Sequence, residues 1–204
     1  MKKIKELLKN NAGFSLTELI IVLAIIVIMT GASFITLSVM HSAKAKEAAS
    51  SFETELAMAS SDAKNKSVDL DVNGTIDDYE KENYFPGLRI YEGADNKLYL
   101  QKCVMVRVPN ALQFVRVEMF DTHPYIQSVN VGNGKGVCLS AYVDVTYTDK
   151  NGNKTEIKGT DEVVVAFNKK GECISGVGIY DFIKKDGSTV ATIRVNPNGS
   201  YHVD

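Results

Sequence analysis

Between residues 69 and 80 the chain reads Asp69-Leu-Asp71-Val-Asn73-Gly74-Thr75-Ile76-Asp77-Asp78-Tyr79-Glu80, with oxygen-bearing side chains at alternate positions. Calcium is a hard cation that takes roughly six to eight oxygen ligands, and a twelve-residue loop of this pattern supplies them. Asp69, Asp71 and Asn73 would turn their side-chain oxygens toward one point. Gly74 permits the sharp bend, and the Thr75 carbonyl adds a ligand. Asp77 would bind directly or through water, and Glu80 would close the site with two oxygens. Ile76 falls where such loops place an inward apolar residue. Calcium would then be a structural cofactor that fixes the exit from a preceding helix, and an affinity of ~10⁻⁴ to 10⁻³ M would suffice outside a cell. The alternative is a solvated Asp/Asn-rich turn. The sequence holds no second loop of this kind, and Pro86 leaves room for at most a short helix after this one.

A different carboxylate stands alone. No charged residue occurs from Leu19 to Met40, and Glu18 lies at the head of that run with no basic side chain close by. A charge at membrane depth costs at least ~2.5 kcal/mol and is normally paired. Glu18 therefore needs a partner. The stretch from Phe14 to Met40 is long enough, as one helix, to cross a hydrocarbon layer of roughly 30 Å. Lys2, Lys3, Lys5 and Lys9 precede it; they would keep the N-terminus in the cytoplasm, so that everything after Met40 faces outward. An ordinary secretory signal has its small-residue cleavage site after the apolar core. Here the conspicuous small residue, Gly13, comes before it.

Gly13-Phe14-Ser15-Leu16-Thr17-Glu18-Leu19, followed by IIVLAIIVIM, closely resembles the class III leader of type IV pilins and type II secretion pseudopilins. The resemblance implies cleavage between Gly13 and Phe14 by a prepilin peptidase on the cytoplasmic side, and N-methylation of the new Phe14 amine. It makes Glu18 the fifth residue of the mature chain and gives that carboxylate its partner, an α-amine in lipid, during filament assembly. Implied partners are the prepilin peptidase, other pilin or pseudopilin subunits, and an assembly platform membrane protein with its ATPase. Toward the C-terminus, Val163-Val-Val-Ala-Phe167-Asn-Lys-Lys-Gly171 and Thr192-Ile-Arg-Val195-Asn-Pro-Asn-Gly199-Ser-Tyr-His-Val203 resemble the paired strand–turn–glycine segments of GspH/FimT-type minor pseudopilins. FimT-like members that bind DNA carry arginines in the last turn. Here it reads Gly199-Ser200-Tyr201-His202, which disfavours DNA uptake.

The whole chain has 204 residues, a net charge of −2 and 45% hydrophobic residues, enough for one domain with a real core and a short extra element. Near-neutral charge argues against nucleic acid as a partner, which usually demands a strongly basic face. Loss of residues 1–13 would remove four lysines and one glutamate from 23 basic and 25 acidic residues, leaving about −5. Cys103, Cys138 and Cys173 allow one disulfide of undetermined pairing, or buried free thiols. Gly132-Asn-Gly134-Lys-Gly136 lacks both the spacing of a phosphate loop and a following helix. His41, His123 and His202 have no nucleophile context, with His202 beside a C-terminus expected to fray. Arg107 and Arg116 read as solvated strand faces or an inter-subunit contact. No catalytic residue is assigned.

These residues must be carried by a small number of elements. Ala45, Ala48, Ala49, Phe52, Leu56, Ala59 and Ala63 recur at spacings of three and four, and no proline occurs before Pro86, so one helix is expected over roughly 14–66. The narrow alanine stripe suits close packing on a sheet. Strands are expected at Leu98–Val108, Leu112–Phe120, Val137–Tyr147, Val163–Phe167, Ile174–Ile183 and Val190–Val195, separated by Asn-Gly and Asp-Gly turns. The fold class is α+β, a long transmembrane-then-amphipathic helix packed on an antiparallel sheet of hairpins. Residues 1–13 are the leader, 14–40 the membrane and filament-core helix, 41–66 its amphipathic continuation and 67–204 the β-rich outer domain. The function expected is that of a minor pilin or pseudopilin subunit in the cytoplasmic membrane, assembled into a filament at the cell surface or in the periplasm. The alternative is a filament-tip binding module for DNA uptake or adhesion.

Overall fold

The computed structural model describes residues 15–67, 75, 77–107, 114–117 and 136–204. Helix α1 runs from Leu16 to Asn65, and a short helix α2 covers Asp78–Asn83. The strands are β1 (Tyr84–Glu92), β2 (Leu98–Arg107), β3 (Phe114–Val117), β4 (Val137–Ser140), β5 (Val143–Asp149), β6 (Lys154–Glu156), β7 (Glu162–Phe167), β8 (Cys173–Ser175), β9 (Gly178–Lys184), β10 (Thr189–Val195) and β11 (Tyr201–Val203). The chain divides into two compact units between Met40 and His41.

Within the second unit, the helical stripe is the spine of the core. Ala45, Ala48, Ala49, Phe52, Leu56, Ala59 and Ala63 are all buried. Alanine keeps the helix axis close to the strands, and Phe52 fills the space that the small residues leave. Its ring lies 5.0 Å from that of Tyr180 and 5.8 Å from that of Phe182. Leu88, Ile90, Leu100, Val165 and Phe167 join the same cluster from one sheet, and Val143, Val145, Tyr180, Phe182 and Ile193 join it from the other. Full burial of each such side chain is worth roughly 1.5–3 kcal/mol. The end of α1 is held from the sheet side, where Lys169 Nζ donates to the Lys66 carbonyl and to Ser67 Oγ, both at 2.6 Å. A cation at the helix C-terminus also complements the helix dipole.

The α+β class stands, and the arrangement is consistent with a pilin-like fold, but the strands form two antiparallel sheets rather than one. The first has the order β3-β2-β1-β7-β8, with β4 also on β2; the second has the order β11-β10-β9-β5-β6. Two of the expected strands are each broken in two as the chain passes between the sheets. Val137–Tyr147 divides into β4 in the first sheet and β5 in the second, through a turn where Tyr142 N–H donates to Ser140 Oγ at 3.1 Å. Ile174–Ile183 divides into β8 and β9 at Gly176, whose φ is +76°. An added Cβ there would lie 2.7 Å from the Val164 carbonyl, so both backbone freedom and close approach call for glycine. β1 was concealed in the sequence by Pro86. That residue pairs with Val104 of β2, outside the Gly87–Tyr91 segment that pairs with β7, so its missing N–H interrupts no central ladder. The C-terminus does not fray, because β11 pairs with β10 and the Asp204 N–H donates to the Thr192 carbonyl at 2.9 Å.

Candidate functional site

Ser15 and Glu18 open α1. Glu18 N–H donates to Ser15 Oγ at 3.2 Å, and Ser15 N–H donates to Glu18 Oε2 at 2.9 Å. The first N–H groups of any helix lack partners inside it, so a Ser or Thr followed three residues later by Glu forms a reciprocal capping box. The carboxylate also lies at the positive end of the helix dipole. Glu18 Oε1 carries no hydrogen bond among the described residues. Ser15-x-x-Glu18 has the residue types and spacing of a capping box, although Glu18 was read as a lone charge in an apolar run and as the leader's glutamate, and Ser15 was given no role.

After this turn the helix is apolar on every side. Leu19, Ile25, Ile28 and Phe34 are all exposed, at 51%, 51%, 71% and 73%. The few hydroxyls are satisfied by their own helix: Thr30 Oγ1 donates to the Ile26 carbonyl at 2.7 Å, and Ser33 Oγ to the Met29 carbonyl at 2.8 Å. That is how polar groups persist in hydrocarbon, where no water offers an alternative. By length and composition α1 can cross a membrane. Gly13 and Phe14 lie outside the described residues.

Of the calcium-loop residues, Asp69, Asp71 and Asn73 lie outside the described residues, whereas Thr75, Asp77 and Glu80 lie within them. The Asp77 carbonyl accepts the Lys81 N–H at 3.2 Å as α2 begins, and Glu80 falls on that helix. Lys81 Nζ donates to Asp78 Oδ1 at 2.9 Å, a bond that holds the Asp78 carboxyl below the usual carboxylate range. Among the described residues no three His, Cys, Asp or Glu side chains converge as a metal site would require.

None of the three cysteines is in a disulfide; Cys103 and Cys173 are buried and Cys138 is exposed. Sheet order explains why no pair forms. Cys103 on β2 and Cys173 on β8 are separated by β1 and β7, hence by about 14 Å at the usual strand spacing. Cys138 aligns with Tyr99, four positions along β2 from Cys103, hence about 13 Å away. A disulfide needs Cα atoms within about 7 Å. Burial pushes the Cys173 thiol up to about 11, and its Sγ donates to the Ser175 carbonyl at 2.9 Å. His41 stacks on Tyr142 with ring centroids 4.7 Å apart, and His202 Nε2 lies 3.0 Å from Asp204 Oδ1. His123 and residues 132–135 of the glycine loop lie outside the described residues. Arg107 and Arg116 do stand on neighbouring strands, Arg116 in register with Met105.

Helix α1 is thus apolar and exposed in its first half, where it is long and apolar enough to cross a membrane, and packed on antiparallel sheets in its second. Residues 8–34 match the family model described as the prokaryotic N-terminal methylation motif. The matched segment contains Gly13, Phe14, Ser15 and Glu18, and it supports the class III leader of a type IV pilin or pseudopilin that is processed by prepilin peptidase and assembles with other pilin subunits. Proteins of that kind are structural subunits rather than enzymes. No curated protein and no solved structure matches the chain.

Proposed function

We propose that the chain is a minor pilin or pseudopilin, cut between Gly13 and Phe14, N-methylated at Phe14 and assembled through its N-terminal helix into a type IV pilus or a type II secretion-type pseudopilus. The single observation that carries this is the methylation motif over residues 8–34, which ends within an exposed apolar helix headed by Glu18. The lysines before Gly13 support a cytoplasmic N-terminus, with residues 41–204 outside. In the filament, Glu18 pairs with the Phe14 amine of a neighbouring subunit, a charge pair that lipid makes valuable because neither ion finds water there. The assembly platform membrane protein and its ATPase complete the set of partners.

Calcium belongs to the same proposal. Asp69, Asp71, Asn73, Thr75, Asp77 and Glu80 match the loop pattern at every specified position. The ion would fix the connection between α1 and α2 and would take no part in chemistry.

The test of assembly is co-expression with a prepilin peptidase and an assembly system. Gly13→Ala leaves the leader uncut, whereas Glu18→Ala is cut normally and fails to enter filaments. Efficient cleavage of the first variant would remove the assigned site, and normal incorporation of the second would remove the role given to Glu18.

A further inference from the structure

A hydrocarbon layer takes about 20 helical residues, so a span that opens just after Glu18 is used up close to Met40. His41 is the first ionisable side chain beyond Glu18. Its ring stacks on that of Tyr142, with centroids 4.7 Å apart and planes inclined by 18°. Tyr142 therefore stands level with the residue at which α1 leaves the apolar run. It is 43% exposed; the other large hydrophobic side chains left in the open among the described residues after Met40 are Met58, Val137 and Val203, none of them aromatic. The place of Tyr142 is fixed on both sides. Leu139 and Val143 are buried, its N–H donates to Ser140 Oγ at 3.1 Å, and the flanking strands β4 and β5 belong to different sheets. Its hydroxyl makes no hydrogen bond among the described residues.

We propose that Tyr142 is a membrane-interface anchor: in the subunit before assembly its ring, stacked on His41, enters the phospholipid headgroup layer of the bilayer that α1 crosses. A tyrosine with an apolar ring and an available polar tip is most favourably placed where hydrocarbon gives way to headgroups. Net charge is not the attraction. Lys184 stands in register with Val143, so the β9–β10 turn lies at the same end, but Lys184 pairs with Asp186 at 2.9 Å and Lys185 with Asp144 at 2.6 Å. The occupant is accordingly a zwitterionic phospholipid, which offers the ring its interface without demanding unpaired cations. The inference rests on the reading of α1 as a membrane span.

The chain has no tryptophan, so one introduced indole reports alone. The experiment uses the full chain at low density in phosphatidylcholine vesicles that carry a nitroxide quencher either at the headgroup or near the acyl-chain ends. Ile28→Trp, in the middle of the apolar run, should be quenched by the deep nitroxide. Tyr142→Trp should be quenched more by the headgroup nitroxide than by the deep one. It should also emit further to the blue than Lys150→Trp, which sits on an exposed turn at the other end of β5. Equal quenching and emission of Tyr142→Trp and Lys150→Trp, beside deep quenching of Ile28→Trp, overturns the proposal and leaves the span standing. Failure of the deep nitroxide to quench Ile28→Trp refutes the span and the proposal with it. Shielding of Tyr142→Trp that arises only at raised subunit density means that a second copy covers the ring, and it too overturns the proposal. Should Tyr142→Trp melt below the wild type, Ala141→Trp, exposed beside it, carries the same comparison.

Discussion

Cys173 shows how a residue's surroundings settle what its type leaves open. Burial pushes its thiol up to about 11, and a thiol held neutral is a poor nucleophile. In the native protein at pH 8, iodoacetamide should therefore modify Cys138 while sparing Cys103 and Cys173, as peptide mapping by mass spectrometry would show. Fast native labelling of Cys173 would contradict the packing described. The same shift has a sign in stability. The folded state holds this proton more tightly than the unfolded chain, whose cysteines ionise near about 8.5. Stability from the neutral thiol is thus complete below about 8.5 and is lost as pH rises toward 11. Cys173→Ser should flatten that alkaline decline in thermal melts. Spacing could not exclude a disulfide, because the separation of Cys103 from Cys173 is a matter of sheet order, which a linear sequence does not display. Glu18, by contrast, was legible at once as a lone charge in an apolar run. Its capping partner Ser15 was equally legible by type and spacing.

At the scale of elements, the second half of α1 was readable because its environment is one-sided. A helix that meets strands along one face writes a three-and-four spacing into its alanines, and all seven stripe positions are buried. Phe52 is the large side chain in that stripe and contacts the rings of Tyr180 and Phe182. Phe52→Ala should destabilise residues 41–204 by roughly 3–5 kcal/mol, measured by urea unfolding. A loss below about 1 kcal/mol would mean that Phe52 does not organise this core. The strands were less legible where a change of sheet falls inside a continuous apolar run. Ser140-Ala141-Tyr142 lacks both glycine and proline, so nothing in its composition announces the turn between β4 and β5. Pro86 misled in the opposite direction: it argued against a strand, and only the pairing of β1 explains why one accommodates it.

For the molecule as a whole, α1 is apolar and exposed before Met40, and the chain packs a core after it. Residues 41–204 form a compact unit with its own core. If calcium fixes the link between α1 and α2, millimolar calcium should raise the melting temperature of the full chain in detergent. Glu80→Ala should abolish that shift, and an unchanged melting temperature in the wild type would return residues 69–80 to a solvated turn. The most direct test of the central claim is intact-mass and N-terminal peptide mass spectrometry of the chain isolated from membranes of cells that contain a prepilin peptidase. The account predicts a mature protein that begins at Phe14 with a methylated amine. A chain that still begins at Met1, with Gly13–Phe14 uncut, would contradict it and reduce the apolar segment to a simple membrane anchor.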